Sequence, residues 1–317
     1  MITPKKVSVS IVNFNKRELL RECLASVMGQ TYPIWEVVVV DNASSDGSAL
    51  MVCEEFPRVK VIENPDNELF CRAQNTGIRR TTGEYVLVLN NDVVLDRRFL
   101  SEMVSAMDAD DNIGMVSGKI LRRDRQKIDT TGLFLGKDRK PVERGYGEQE
   151  NGQYEEAGYI FGAGGVAPLY RRDMLRDTEV EGEFFDETYG AFYEDLDLAW
   201  RAYRHGWSAY YAPKAVAMHV RGGTAKQELP PVKFLSSFDF TFLSRDLKAR
   251  LMMNRYLTMV KNDMPLDFVL NLPFIILYDL KMWAYLIIFS PSVIPEFFKK
   301  FGDISTAWRR RKLIHGI

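Results

Sequence analysis

The chain has 317 residues, with 42 Lys and Arg against 43 Asp and Glu, a formal net charge of −1 and 46% hydrophobic residues. That length suits one large domain, or one domain with an appendage. The charge balance excludes a bulk polyanion binder, so nucleic acid is not an expected partner.

Residues 7–12 form a short run rich in β-branched side chains, the first predicted strand. Residues 16–29 place Leu19, Leu20, Cys23, Leu24 and Val27 at helical spacing. Residues 35–40 are continuously apolar, the pattern of a strand buried on both faces. A helix over 45–55 follows, with Ser44 or Ser45 as its cap. A strand over 59–62, a helix over 69–81, a strand over 85–89 and a helix over 97–109 continue the rhythm. Strand and helix in alternation predict a Rossmann-like, mainly parallel sheet flanked by helices. Right-handed crossovers then put the strand C-termini on one edge, where such sheets bind ligands. From 113 to about 223 the pattern is less regular. Residues 145–158 read as a mobile polar loop, 159–170 are rich in glycine, 193–206 read as a helix and 209–220 as a strand. From Val232 onward the chain reads as helical, aromatic and rich in methionine.

Four clusters fall at predicted strand ends or helix starts. Asp41 opens Asp41-Asn42-Ala43-Ser44-Ser45-Asp46-Gly47. A carboxylate there can accept from a base or ribose, and the helix start behind it can bind an anion. The same residues also make an ordinary capping turn. Asp92 closes Leu89-Asn90-Asn91-Asp92, a set of hard oxygen donors suited to Mg²⁺ or Mn²⁺, or a plain β-turn. Asp195, in Glu194-Asp195-Leu196-Asp197, can act as a carboxylate base or simply complement a helix dipole. His219 ends the last strand before Gly222-Gly223, as a ligand or a structural histidine.

The ordered set resembles the family 2 glycosyltransferases of the GT-A (nucleotide-diphospho-sugar transferase) fold, in particular a bacterial rhamnosyltransferase-like branch. The matching text is Val7-Ser8-Val9-Ser10-Ile11-Val12-Asn13-Phe14-Asn15, then residues 37–47, Arg72-Ala73-Gln74-Asn75-Thr76-Gly77, 83–92, Gly162-Ala163-Gly164-Gly165, 192–206 and His219. The resemblance implies a mixed, mainly parallel GT-A sheet over residues 1–225 and a helical extension over 226–317. It implies a nucleotide-sugar donor bound by Asn13, Asn15, Asp41, Arg72, Asn75, Asn91 and Gly164. It implies a divalent cation, Mg²⁺ or Mn²⁺, held by Asp92, His219 and Asn90, and Asp195 as the catalytic base of an inverting transfer. Asn90 stands where the family's metal-binding motif has its first acid, so cation binding leans on the donor diphosphate. The acceptor implied is a glycan or a polyprenyl-linked sugar in cell-surface polysaccharide synthesis.

Two competing functions are a sugar nucleotidyltransferase and a non-catalytic nucleotide-sugar binding protein. Asn13-Phe14-Asn15-Lys16 has no glycine where the first would place a glycine-rich loop. Asp41, Asp92 and Asp195 together argue against the second. Residues 266–298 are strongly apolar and 299–317 carry Lys299, Lys300, Arg309, Arg310, Arg311 and Lys312 against Asp303. These features suggest helices lying on a membrane surface, or else a packed subdomain or a homodimer face. No run reaches roughly 18 uninterrupted apolar residues, since Pro273, Asp279, Lys281 and Pro291 break the best one. Residues 1–6 are short and polar and read as no signal peptide. Cys23, Cys53 and Cys71 form no zinc or disulfide framework. The expected location is therefore the cytoplasm, at the inner face of the membrane.

Overall fold

The computed structural model describes residues 4–220 and 243–316. The chain divides into two compact units. The first comprises Met1–Phe134, Val142–Gly190 and Glu194–Val220, and the second Leu135–Pro141, Ala191–Tyr193 and Arg221–Ile317. The boundary expected at 225/226, the Gly222-Gly223 pair and the helical onset at Val232 lie outside the described residues.

The first unit opens with β1 (Val7–Asn13), α1 (Arg17–Met28), β2 (Ile34–Asp41), α2 (Ser48–Glu55), β3 (Lys60–Glu63), α3 (Leu69–Arg79) and β4 (Tyr85–Asn90). It continues with β5 (Val93–Leu95), α4 (Phe99–Met107), β6 (Ile113–Arg122), β7 (Ile128–Thr130), β8 (Leu133–Leu135), β9 (Pro141–Glu143), β10 (Gly158–Ile160) and β11 (Leu169–Arg171). It closes with α5 (Arg172–Asp177), α6 (Glu194–Arg204) and β12 (Ser208–His219). The expected elements are present, most of them with ends shifted by one to three residues. The short strands β5, β7, β8 and β9 had no clear signal, because three residues carry no readable period.

The strands of the main sheet run β10-β12-β6-β11-β4-β1-β2-β3, with β5 on β12 and β7 on β6. β1 pairs in parallel with β2 and β4, β2 with β3, and β12 with β6. β5, β7, β10 and β11 join antiparallel. The sheet is thus mixed and mainly parallel, as expected of a GT-A fold. Val37–Val40 and Val86–Leu89 are buried because helices cover both faces. α1 buries Leu20, Cys23, Leu24 and Val27, one stripe at helical spacing.

Two local expectations change. α2 starts at Ser48 after Gly47, at φ 78°, without a serine cap. Asp46 caps the helix instead: its carboxylate accepts from the Ser48 N–H at 3.1 Å and from the Arg17 N–H of α1 at 2.9 Å. The 145–158 stretch, read as a mobile loop, is pinned. Ile128 N–H donates to Glu148 O and Gly147 N–H to Ile128 O, both at 2.9 Å. Lys119 of β6 adds bonds to Glu150 and to Gln153 O.

The second unit holds α7 (Arg245–Asn262), α8 (Pro265–Phe289), a 3₁₀ turn (Pro291–Val293), α9 (Ile294–Lys299) and α10 (Asp303–His315). Pro273, expected to break the apolar run, lies inside α8. One lost backbone bond costs roughly 3 kcal/mol, and the helix runs on for 25 residues. It is, among the described residues, one helix long and apolar enough to cross a membrane, with mean hydropathy 1.7 over its best window. Part of the basic tail turns inward. Lys300 pairs with Asp246 at 2.7 Å, Arg310 is buried, and Arg311 donates to the Val260 and Asp263 carbonyls at the end of α7. A buried fork, Arg139 to Asp263 at 2.7 and 3.0 Å, ties the 135–141 segment to the helices.

Candidate active site at the strand ends

Strand register builds the site. Asn13 stands opposite Asp41 in the β1–β2 ladder, and Val12 opposite Asn90 in the β1–β4 ladder. The C-termini of three parallel strands therefore bring Asn13, Asp41 and Asn90–Asn91–Asp92 to one edge. On the far side β12 pairs with β5, so that His219 lies opposite Val93, and Val220 N–H donates to Asp92 O at 2.9 Å. That short antiparallel pairing carries His219 to Asp92 across 127 residues of sequence.

Asn13 is the hub of the first group. Its side-chain amide donates to Asp41 at 3.0 Å, and its carbonyl oxygen accepts from the Asn91 amide at 2.7 Å. Ser44 N–H caps the other Asp41 oxygen at 2.7 Å. Asn15, at φ 51°, accepts from Ser45 N–H at 2.8 Å. Asp41 is 2% exposed. This network fixes a polar floor at the end of β1 and β2.

The second group is Asp92, His219 and Asp129. His219 Nε2 lies 3.1 Å from Asp92 Oδ1, and Nδ1–H donates to Asp129 Oδ2 at 2.7 Å. Burial disfavours the imidazolium, but the bonds to the two carboxylates outweigh it and lift the pKa to about 9. Asp129 holds Nδ1, which leaves Nε2 facing Asp92. A carboxylate behind a histidine is the usual support for a metal-binding imidazole. Among the described residues no three His, Cys, Asp or Glu side chains form a cage. Asp92 and His219 Nε2 thus lie side by side at this edge, with Asp129 behind the imidazole. Asp129 was missed in the sequence. A buried carboxylate inside a three-residue strand of otherwise β-favouring Ile and Thr was its one signal.

Asp195 sits at the start of α6. Gly165 N–H donates to Oδ2 at 3.0 Å, and Leu196 N–H to Oδ1 at 2.7 Å. Burial raises its pKa, which the amide donors only partly offset. The same glycine segment reaches the 90–92 turn, because Asn90 N–H donates to Val166 O at 3.0 Å. One short stretch of chain therefore contacts both Asp195 and the 90–92 turn. The glycines serve this packing. A Cβ on Gly162 would lie 2.4 Å from the Ala199 Cβ of α6, and one on Gly164 2.6 Å from a Glu143 carboxylate oxygen. Asp197 plays a structural part. It is buried against Arg201 at 3.0 Å, and Arg201 also holds the Phe184 carbonyl at 2.7 Å.

Arg72 and Asn75 lie on α3 and belong to another group. Arg72 pairs with Glu187 at 2.8 Å. The Asn75 amide donates to Phe185 O at 2.7 Å and Glu187 at 3.1 Å, and accepts from Phe185 N–H at 2.9 Å. Fully buried and with both amide atoms engaged, Asn75 fixes the 185–187 loop instead of facing a donor pocket. Asn254 went unnoticed too. Its amide holds the Ala191 and Phe192 carbonyls at 2.9 Å, just where Phe192 and Tyr193 are both left-handed, at φ 71° and 70°.

Residues 8–178, more than half of the chain, match the model of Glycosyl transferase family 2. The chain belongs to glycosyltransferase family 2. An N-acetylglucosaminyltransferase of Azorhizobium caulinodans is 29% identical to this chain over 229 residues, 68% of the chain and 55% of the relative. A poly-beta-1,6-N-acetyl-D-glucosamine synthase of Staphylococcus epidermidis is 24% identical over 213 residues, 66% of the chain and 48% of the relative. The chain spans about half the length of these relatives. Among solved structures, S. aureus TarS 1–349 in complex with UDP-GlcNAc superposes with TM-score 0.59 at 18% identity, covering 98% of this chain and 86% of the 1–349 chain. The mannosyltransferase PcManGT from Pyrobaculum calidifontis, in complex with GDP-Man and Mn²⁺, gives 0.55 at 20% identity, covering 96% and 76%. These likenesses agree with the GT-A fold of the family 2 chain.

Proposed function

We propose that the protein transfers a sugar from a nucleoside-diphosphate sugar to an acceptor hydroxyl, with inversion at the anomeric carbon. The observation that carries this is the meeting of Asn13, Asp41, Asn91, Asp92 and His219 at one sheet edge, joined through the 164–166 segment to Asp195. In this reading Asp41 and the Asn13 network receive the nucleoside, and Arg72 lies along the donor side. Asp195 takes the proton of the attacking hydroxyl. The acceptor oxygen bonds to C1 as the bond from C1 to the diphosphate oxygen breaks, and the nucleoside diphosphate leaves with the electron pair. One displacement inverts the centre, and its raised pKa makes Asp195 a better base than an ordinary carboxylate.

Asp92 and His219, with Asn90 beside them, would hold a divalent cation, Mg²⁺ or Mn²⁺. When bound, such an ion offsets charge on the departing diphosphate. The open donor pair fits an ion that is completed by the diphosphate, and PcManGT carries Mn²⁺ with its GDP-Man.

The sequence resemblance pointed to rhamnose. The two relatives above are named for N-acetylglucosamine, and TarS was solved with UDP-GlcNAc. These names support UDP-GlcNAc as donor and polysaccharide synthesis as setting. The exposed face of α8, with Leu266, Leu270, Leu277, Leu280 and Ile288, supports attachment to a membrane surface. Ile275, Met282 and Leu286 are buried within its own unit and Asp279 pairs with Arg255. One covered face favours lying at the interface over spanning the bilayer.

The test is nucleoside-diphosphate release from UDP-GlcNAc, dTDP-rhamnose and GDP-mannose with Mn²⁺. Turnover of UDP-GlcNAc above the other two is expected. Preference for dTDP-rhamnose would restore the rhamnosyl reading, and inertness toward all three would remove the proposal.

A further inference from the structure

Tyr170 of β11 and Tyr189 of the loop before α6 are both fully buried. The Tyr189 hydroxyl donates at 3.3 Å to Asp197 Oδ1, in the first turn of α6. The Tyr170 hydroxyl finds no hydrogen-bond partner among the described residues. A buried phenol normally has a partner, and an orphaned one costs free energy that packing must offset. The contacts of the Tyr170 ring need no oxygen. The ring sits edge-on to Phe185 at 6.2 Å, and Phe185 is itself held by Asn75. In the sheet, residue 170 pairs with Val86 and Met115. Phenylalanine would fill that place equally well.

The charges that act on this hydroxyl identify its surroundings. Burial, then Asp195, then Glu194 hold its pKa well above the ordinary value, while Arg201 opposes them. The phenol therefore stays a hydrogen-bond donor at any working pH. The same carboxylates frame the glycine segment. A Cβ on Gly165 would lie 3.5 Å from Asp195 Oδ2 and 3.5 Å from Glu194 Oε1, and Glu143 faces the neighbouring Gly164. Arg201 is committed to Asp197 at 3.0 Å and to the Phe184 carbonyl at 2.7 Å. Asp195 takes one N–H on each oxygen, from Gly165 and from Leu196. A carboxylate has about four acceptor sites, so each oxygen has room for a further donor. Tyr170 is a donor within reach of that charge and without a bond of its own.

We propose that Tyr170 is a positioning residue for the base: its hydroxyl completes the donor set of the Asp195 carboxylate when substrate is bound. Bonds to a catalytic group are often long in the free enzyme and tighten in the working complex. A further donor favours the ionised carboxylate and fixes the oxygen that receives the acceptor proton. Tyr170 keeps its own proton throughout, and the acceptor proton goes to Asp195. The inference rests on the glycosyltransferase reading and deepens it, with a residue that acts through the base.

The test compares Tyr170→Phe with Tyr189→Phe in the full chain, by pH profile and by thermal melting. Nucleoside-diphosphate release from UDP-GlcNAc with Mn²⁺ is followed, or from dTDP-rhamnose or GDP-mannose where wild type turns one of those over faster. Tyr170→Phe takes a donor from the ionised carboxylate, so Asp195 picks up a proton more readily. The acid limb of the kcat profile should move up by about one pH unit, with the donor KM unchanged. The melting temperature should stay level or rise, since an orphaned hydroxyl is removed and no bond is lost. Tyr189→Phe breaks the bond to Asp197 and should melt lower with its limb in place. An unmoved limb in Tyr170→Phe would overturn the assignment. So would an equal upward shift in Tyr189→Phe, which would trace the effect to a loosened helix start. Turnover by wild type with an unmoved limb in Tyr170→Phe loses only this inference. A wild type inert toward all three donors loses the glycosyltransferase reading, and this inference with it.

Discussion

Asp195 receives two backbone N–H groups and still has a raised pKa, because burial outweighs them. The sign matters for activity. The working form of a base is the deprotonated one, so activity should fall as pH drops through the raised value. The acid limb of the kcat profile should therefore lie above the ordinary carboxylate value of 3.8. Asp195→Asn should cut kcat by roughly 10² to 10⁴ and remove that limb. A limb that persists in Asp195→Asn would give the base role to another group. Asp129 offers a second residue-scale test. Asp129→Asn keeps the shape but weakens the support of the His219 imidazole, and should weaken Mn²⁺-dependent UDP-GlcNAc binding by about 10- to 100-fold. Unchanged binding would make the Asp129–His219 bond purely structural. Among the site residues, those that follow strands were legible, since a polar run after an apolar one marks a sheet edge. Asp129 and Asn254 were not legible, because what matters about them is a partner 90 and 62 to 63 residues away.

The long elements of the first unit followed from period and length: β-branched runs for β1, β2 and β4, and apolar stripes for α1 and α3. The errors came where side chains overrode local preference. Ser44 and Ser45 look like helix caps, but Asn13 and Asn15 recruit them, and Asp46 caps the helix instead. Pro273 looks like a helix end, yet α8 continues through it. Gly162 and Gly164, part of the text that resembles the family, have a packing reason in Ala199 and Glu143. In the second unit the Arg139–Asp263 fork joins the 135–141 segment to the end of α7. Both partners are under one-tenth exposed, so removing one strips a buried charge of its bidentate partner. Asp263→Ala should destabilise by about 3–5 kcal/mol, read by denaturant unfolding. A change below about 1 kcal/mol would mean that solvent screens the guanidinium.

At the scale of the whole molecule, charge balance and composition excluded much but selected little. Family membership came from the order of motifs, and the division into two units came from the structure. The 135–141 and 191–193 segments join the helical unit although they are far from it in sequence, and no local pattern announces that. The apolar tail was read as interfacial, and the fold refines the reading. Lys300, Arg310 and Arg311 work inside the helical unit, so the proposed membrane attachment rests mainly on the exposed apolar face of α8. A triple variant, Leu270→Glu, Leu277→Glu and Ile288→Glu, should stay in the soluble fraction when wild type floats with anionic liposomes. Co-flotation of the variant equal to wild type would move attachment away from α8.

The most direct measurement is calorimetric titration of UDP-GlcNAc, with and without Mn²⁺, into wild type and Asp92→Ala. Binding that requires Mn²⁺, and that Asp92→Ala weakens at least about tenfold, is the predicted result. Binding indifferent to both Mn²⁺ and Asp92 would contradict the placement of the donor diphosphate at this strand edge.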